Sequence, residues 1–184
     1  MELAAVLLPI LAFVALAAGL LVVFRGTGRI VARTRELDHF KHQVRDLAAR
    51  ADVSLGGAVV EIDAVRRRQV GPETITDTVA AATDAVERYA NEARELRGPS
   101  TVRRIRTDLV AELERAHRAL GMVEHGTSIL AAARRGNREL EAQTSIKRGY
   151  LNLLHAREAL ARHAQEAEAL EPENTTQGAG RRIA

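Results

Sequence analysis

Two Glu-x-x-His pairs, Glu36/His39 and Glu114/His117, are the residues of this chain best spaced to do chemistry. Three positions apart on a helix, each pair stacks on one face, and helical di-metal proteins combine two such motifs with two further carboxylates. The phase of the neighbouring apolar residues argues against a metal here. Leu37 and Phe40 hold the inward seam of one segment, as Leu113 and Ala116 do in another, so the Glu and His side chains lie beside the seam, open to solvent. A metal-binding helical-bundle enzyme built on these four residues is therefore the alternative reading. The chain is expected not to be an enzyme, and no cofactor, metal ligand or catalytic residue is assigned.

The remaining charged motifs say more about surfaces than about reactions. The six histidines, His39, His42, His117, His125, His155 and His163, are read as surface residues of polar helix faces. His39-Phe40-Lys41-His42 lies where a membrane-proximal sensor helix would carry a phosphoacceptor, but no Gly-rich ATP-binding region follows it. Arg66-Arg67-Arg68 closes a helix, where cations suit the C-terminal dipole. Arg103, Arg104 and Arg106 stand near a helix start, where that dipole is unfavourable, and this marks them as contacts for an acidic protein partner. Aromatic residues make up 3% of the chain and none flanks these arginines to stack bases, so nucleic acid is not an expected partner. GxSxG, P-loop and GxGxxG motifs are missing, as is the strand–helix alternation that would carry them.

The elements that position these residues begin with an apolar run, Leu3 to Phe24, that holds no charged side chain. At 1.5 Å per residue it makes a helix of about 33 Å, enough to cross a bilayer core. Glu2 is the only charged side chain before it, whereas a cleaved signal peptide opens with Lys or Arg, so the run is read as an uncleaved anchor over residues 1–25. Arg25, Arg29, Arg33 and Arg35 crowd its C-terminal side, which places the N-terminus outside and the remainder in the cytoplasm. The same arginines are candidate contacts to the membrane surface. Gly26-Thr27-Gly28 marks a flexible joint over residues 26–29.

Residues 30–171 carry four helical stripes. Leu37, Phe40, Val44, Leu47, Ala51, Leu55, Ala58, Ile62 and Val65 recur at steps of three and four until Gly71-Pro72. Gly56-Gly57 interrupts this stripe, which admits a kink, a break or a close helix crossing, but the stripe resumes in phase at Ala58 and so favours a continuous or gently kinked helix. Ile75, Val79, Ala82, Val86, Tyr89, Ala93 and Leu96 form the second stripe, from about Glu73 to Arg97, and Gly98-Pro99 stops it. A third, Val102 to Leu130, starts after a cap at Ser100 or Thr101 and could split at Gly126. Arg135-Gly136-Asn137 signals the next turn, and Ala142, Ile146, Tyr150, Leu153, Leu160, Ala164 and Ala167 face inward on the last helix, before Pro172. The tail, 172–184, has no periodicity and is read as disordered. The net charge of +3 comes from interleaved signs, and cysteine is absent, which agrees with a cytoplasmic payload.

The fold class that follows is all-α: one N-terminal transmembrane helix, then an antiparallel bundle of about four long helices with short turns. Ile62-Asp63, Arg67-Arg68, Pro72 and Tyr89, behind one span and a basic joint, resemble in layout the central segment of bacterial LemA-type proteins. That resemblance implies an N-terminal span and a helical payload; it is one of architecture and assigns no family. The expected function is a scaffold or accessory protein acting through protein–protein contacts at the cytoplasmic membrane surface. Its partners are membrane lipid through the span, an unidentified protein, and a second copy where apolar residues stay exposed.

Overall fold

The computed structural model describes residues 2–132 and 138–171, with side chains from residue 34 onward. Its four α-helices are α1 (Glu2–Arg66), α2 (Thr76–Glu95), α3 (Arg103–Ala131) and α4 (Glu139–Glu168), with 3₁₀ turns at Pro72–Ile75 and Ser100–Val102. No strand occurs among the described residues. The described residues divide into two units, one up to Asp38 and one over His39–Glu171. No helix among the residues with described side chains is long and apolar enough to cross a membrane, and the expected span, joint and tail lie outside those residues.

Within the second unit the helices run up and down. Ser54 Oγ lies 3.1 Å from Tyr89 Oη while Arg50 pairs with Glu92, so positions advance on α1 as they recede on α2. Arg94 meets Glu114 at 2.7 Å and Arg106 donates to the Leu96 carbonyl at 3.1 Å, which sets α3 antiparallel to α2. Ser145 Oγ donates to the Met122 carbonyl at 2.8 Å, and Arg104 stands 3.6 Å from Glu166, joining α3 to α4. Arg157 to Asp52 at 2.7 Å and Arg68 to Glu139 at 3.1 Å close α4 against α1. Short turns between amphipathic helices favour this arrangement, because each apolar stripe is buried by its sequence neighbours.

The stripes read from spacing form the core. Phe40, Val44, Leu47, Ala51, Leu55, Ala58 and Ile62 of α1 are fully buried, as are Val86, Leu109, Leu113, Leu120, Val123 and Leu153. With few aromatics, the interior is made of Leu, Val, Ile and many alanines, and small side chains let the helices approach closely. Gly126 of α3 and Gly149 of α4 mark the tightest approach. A Cβ on Gly126 would stand 2.6 Å from Ile146 Cγ1 and 2.8 Å from the Ala142 carbonyl; one on Gly149 would stand 2.6 Å from Val123 Cγ2 and 2.7 Å from the Ala119 carbonyl.

Several expectations need correction. Tyr89, Leu130, Tyr150 and Ala164 are half-buried rather than core, because each lies at the edge of its stripe, where Ala90, Ile129, Gly149 and His163 are buried instead. α1 ends at Arg66, before Gly71-Pro72 is reached. The Gln69 N–H bonds the Ala64 carbonyl and the Arg68 N–H bonds the Val65 carbonyl, with Arg68 at φ 61°, the left-handed residue of a Schellman turn. Neither Ser100 nor Thr101 caps α3: the preceding residues make a 3₁₀ turn, Val102 occupies the cap position, and no side chain bonds the free N–H groups there. α1 runs unbroken through Gly56-Gly57, as the in-phase stripe predicts, and Gly126 does not split α3.

Candidate interaction surfaces

The arginines near the start of α3 separate into distinct roles. Arg106 is half-buried and its guanidinium donates to the last carbonyl region of α2, at Leu96, so it ties the α2–α3 turn together. Gly98 in that turn lies under Phe40 and Val102, with its Cβ direction blocked by Val102 Cγ2 at 2.8 Å. Arg103 is exposed with no side-chain partner, and Arg104 is 77% exposed, held only by the long contact to Glu166. Those two guanidiniums point at solvent from the same end of the bundle. Arg35 is also exposed, whereas Arg25, Arg29 and Arg33 fall outside the residues with described side chains.

The two Glu-x-x-His pairs are not brought together. Glu36 and His39 are exposed, and His117 is exposed beside Glu114, which Arg94 engages on the α2–α3 flank. Among the described residues no three His, Asp or Glu side chains converge on a point where a metal ion would fit. His163 departs from the surface reading: it is 8% exposed and its Nδ1 lies 3.2 Å from Glu166. The signal was available, since His163 falls on the same row as Ala156, Leu160 and Ala167.

At the opposite end of the bundle the charges are strongly paired. Asp63 binds Arg66 at 2.6 Å and Arg67 at 2.7 Å, and the Arg66 hydrogen bond foremost holds its carboxyl below the usual carboxylate range. The Arg66 guanidinium also lies over the Tyr150 ring, 5.0 Å from its centre. Arg138 and then His125 hydrogen-bond Glu141 and bring its carboxyl down to about 2. A half-open cavity of about 610 Å³ lies nearby, with Val65, Val70, Leu130 and Ile146 forming its apolar wall and Arg68, Glu139 and Lys147 among its polar lining. Arg68 and Glu139 bind each other there.

An uncovered apolar surface missed by spacing alone is on α1. Val53 is 77% exposed and Val60 is 70% exposed, and nothing lies within 4 Å of a Cβ built on Gly57 between them. Sequence periodicity catches the buried stripe of a helix first, and this second, shorter stripe runs along the opposite face. Arg157 borders it, its guanidinium bound to Asp52 and lying 3.3 Å from the Cβ position of Gly56. Comparison with family models, with curated proteins and with solved structures finds no match to this chain.

Proposed function

We propose that this protein is a membrane-anchored helical bundle that acts as a scaffold or accessory subunit, through protein–protein contacts at the cytoplasmic surface of the membrane. The observation that carries the reading is the uncharged run Leu3–Phe24 followed at once by Arg25, Arg29, Arg33 and Arg35. That pattern is long enough to span and is oriented N-terminus out by its basic flank. Anchoring raises the concentration of the bundle at the membrane, where weak surface contacts become effective. Arg103 and Arg104 supply a cationic contact surface for an acidic partner, with Arg106 behind them, and Val53 and Val60 supply an apolar one.

The test is fractionation of cells expressing the full chain and a variant lacking residues 3–24, combined with a photoreactive residue at Arg104. The reading expects the full chain to resist carbonate extraction, the variant to be released, and one dominant protein adduct to form at position 104. A full chain released by carbonate would overturn the anchor. Absence of any protein adduct would overturn the contact surface.

A further inference from the structure

The outer face of α1 is a palindrome, exposed except at the half-buried Gly56 and Ala64. Reading backward from Gly56, the outward residues are Val53, Ala49 and Asp46, at steps of three, four and three. Reading forward from Gly57, they are Val60, Ala64 and Arg67, at the same steps. These positions lie opposite the buried row Leu47, Ala51, Leu55, Ala58 and Ile62. The two halves match in size and differ only at their ends, where one carries an acid and the other a base.

A palindromic helix face is self-complementary under a two-fold axis, which is the symmetry of most homodimers. With the axis at the Gly56–Gly57 bond and the two helices antiparallel, glycine meets glycine, Val53 meets Val60 of the second copy, and Ala49 meets its Ala64. Asp46 then faces Arg67 of the other chain, twice, each side chain extending the ion pair it already makes in its own chain, Asp46 with Arg50 and Arg67 with Asp63. Arg50, held by Asp46 and Glu92, and the exposed, unpaired Glu61 lie on one flank of the seam, two residues out of register with each other across the same axis. In a parallel pair, by contrast, Asp46 would face Asp46 and Arg67 would face Arg67. Charge therefore selects the antiparallel arrangement.

The bundle already contains an antiparallel crossing of two small-residue faces, in a register where each glycine meets a branched side chain. Ala119, Val123 and Gly126 on α3 pack antiparallel on Ala142, Ile146 and Gly149 on α4, each glycine receiving the branched side chain of the other helix. Ala49, Val53 and Gly56 repeat this Ala-x-x-x-Val/Ile-x-x-Gly spacing on the outer face of α1, where Ala49 and Val53 are exposed and Gly56 is half-buried beside the Arg157 guanidinium. We infer that the outer face of α1 is a homodimer interface, occupied by α1 of a second copy running antiparallel. A seam this short buries less area than a standard interface, so the pair is weak and concentration-dependent. This deepens the protein-contact reading by naming one partner.

The native chain has no cysteine, so single thiols can be placed cleanly. Full-length Val53→Cys and Val60→Cys chains, dispersed in detergent, are oxidised separately and as an equal mixture. In the antiparallel pair the mixture gives disulfide-linked heterodimer. Each chain alone is about 10 Å out of register at 1.5 Å per residue, beyond disulfide reach, and gives little. Asp46→Arg suppresses the cross-link, and adding Arg67→Asp restores it. Both thiols sit at exposed positions, and circular dichroism of each variant checks that it folds. Dimer from each chain alone would mean a parallel pair and overturn the inference, as would no cross-link at all. These outcomes leave carbonate extraction and the Arg104 adduct unchanged, so failure here is separable from failure of the scaffold reading.

Discussion

Gly126 and Gly149 are reciprocal seats: each lies against the branched residue three positions before the other glycine, Gly126 against Ile146 and Gly149 against Val123. Helices α3 and α4 are thereby drawn together, with backbone carbonyls of Ala142 and Ala119 within 2.8 Å and 2.7 Å of where a Cβ would sit. Such a contact cannot absorb even a methyl group without moving a helix. Gly126→Ala and Gly149→Ala are expected to destabilise the protein by roughly 1–3 kcal/mol despite alanine's better helix propensity. Gly121→Ala, where nothing lies within 4 Å, is expected to stabilise it by up to about 1 kcal/mol. Thermal unfolding of the three variants checks the contrast.

Arg68 pays the steric cost of a left-handed conformation at the end of α1, where glycine is the usual residue. Its ion pair with Glu139 is exposed on both sides and contributes little. Arg68→Gly is expected to raise stability by up to about 1 kcal/mol in urea unfolding. A loss of stability would show that the Glu139 contact outweighs the backbone strain.

Arg106 and Arg103 separate structure from surface. Removing the charged donor from the Leu96 carbonyl, as in Arg106→Ala, is expected to cost roughly 1–2 kcal/mol. Arg103→Ala, at an exposed and unpaired position, is expected to leave the unfolding midpoint unchanged while weakening any acidic partner. A midpoint shift in Arg103→Ala would contradict this division.

Acid sensitivity follows from Glu141 and Asp63. Both carboxyls are lowered in the folded chain, Glu141 from 4.5 to about 2. Between those values the unfolded chain binds more protons, so the contribution is present above about pH 4.5 and fades as the pH falls toward 2. Glu141→Gln is expected to flatten the fall in stability over that window, as read by urea unfolding at stepped pH. Salt is expected to flatten it too, because the pairs to Arg138 and Arg66 are at the surface.

What the chain's pattern settled alone is the helical class and most of the core. A run such as Phe40, Val44, Leu47, Ala51 can be buried only as a helix face, so the four stripes were readable without knowing what they met. Ala48, Val59, Ala85, Ala90, Ala119 and Ala156 show the boundary of that reading: spacing marks a stripe's centre, while its width depends on the neighbour. The capping of α3, the left-handed Arg68, the engagement of Arg106 and the burial of His163 all depend on where a second helix lies. Glycines carried the least information in sequence and the most in space. Gly126 and Gly57 are both mid-helix, and only the tertiary packing makes one a seat for Ile146 and leaves the other open, because a missing side chain acquires meaning from what stands against it.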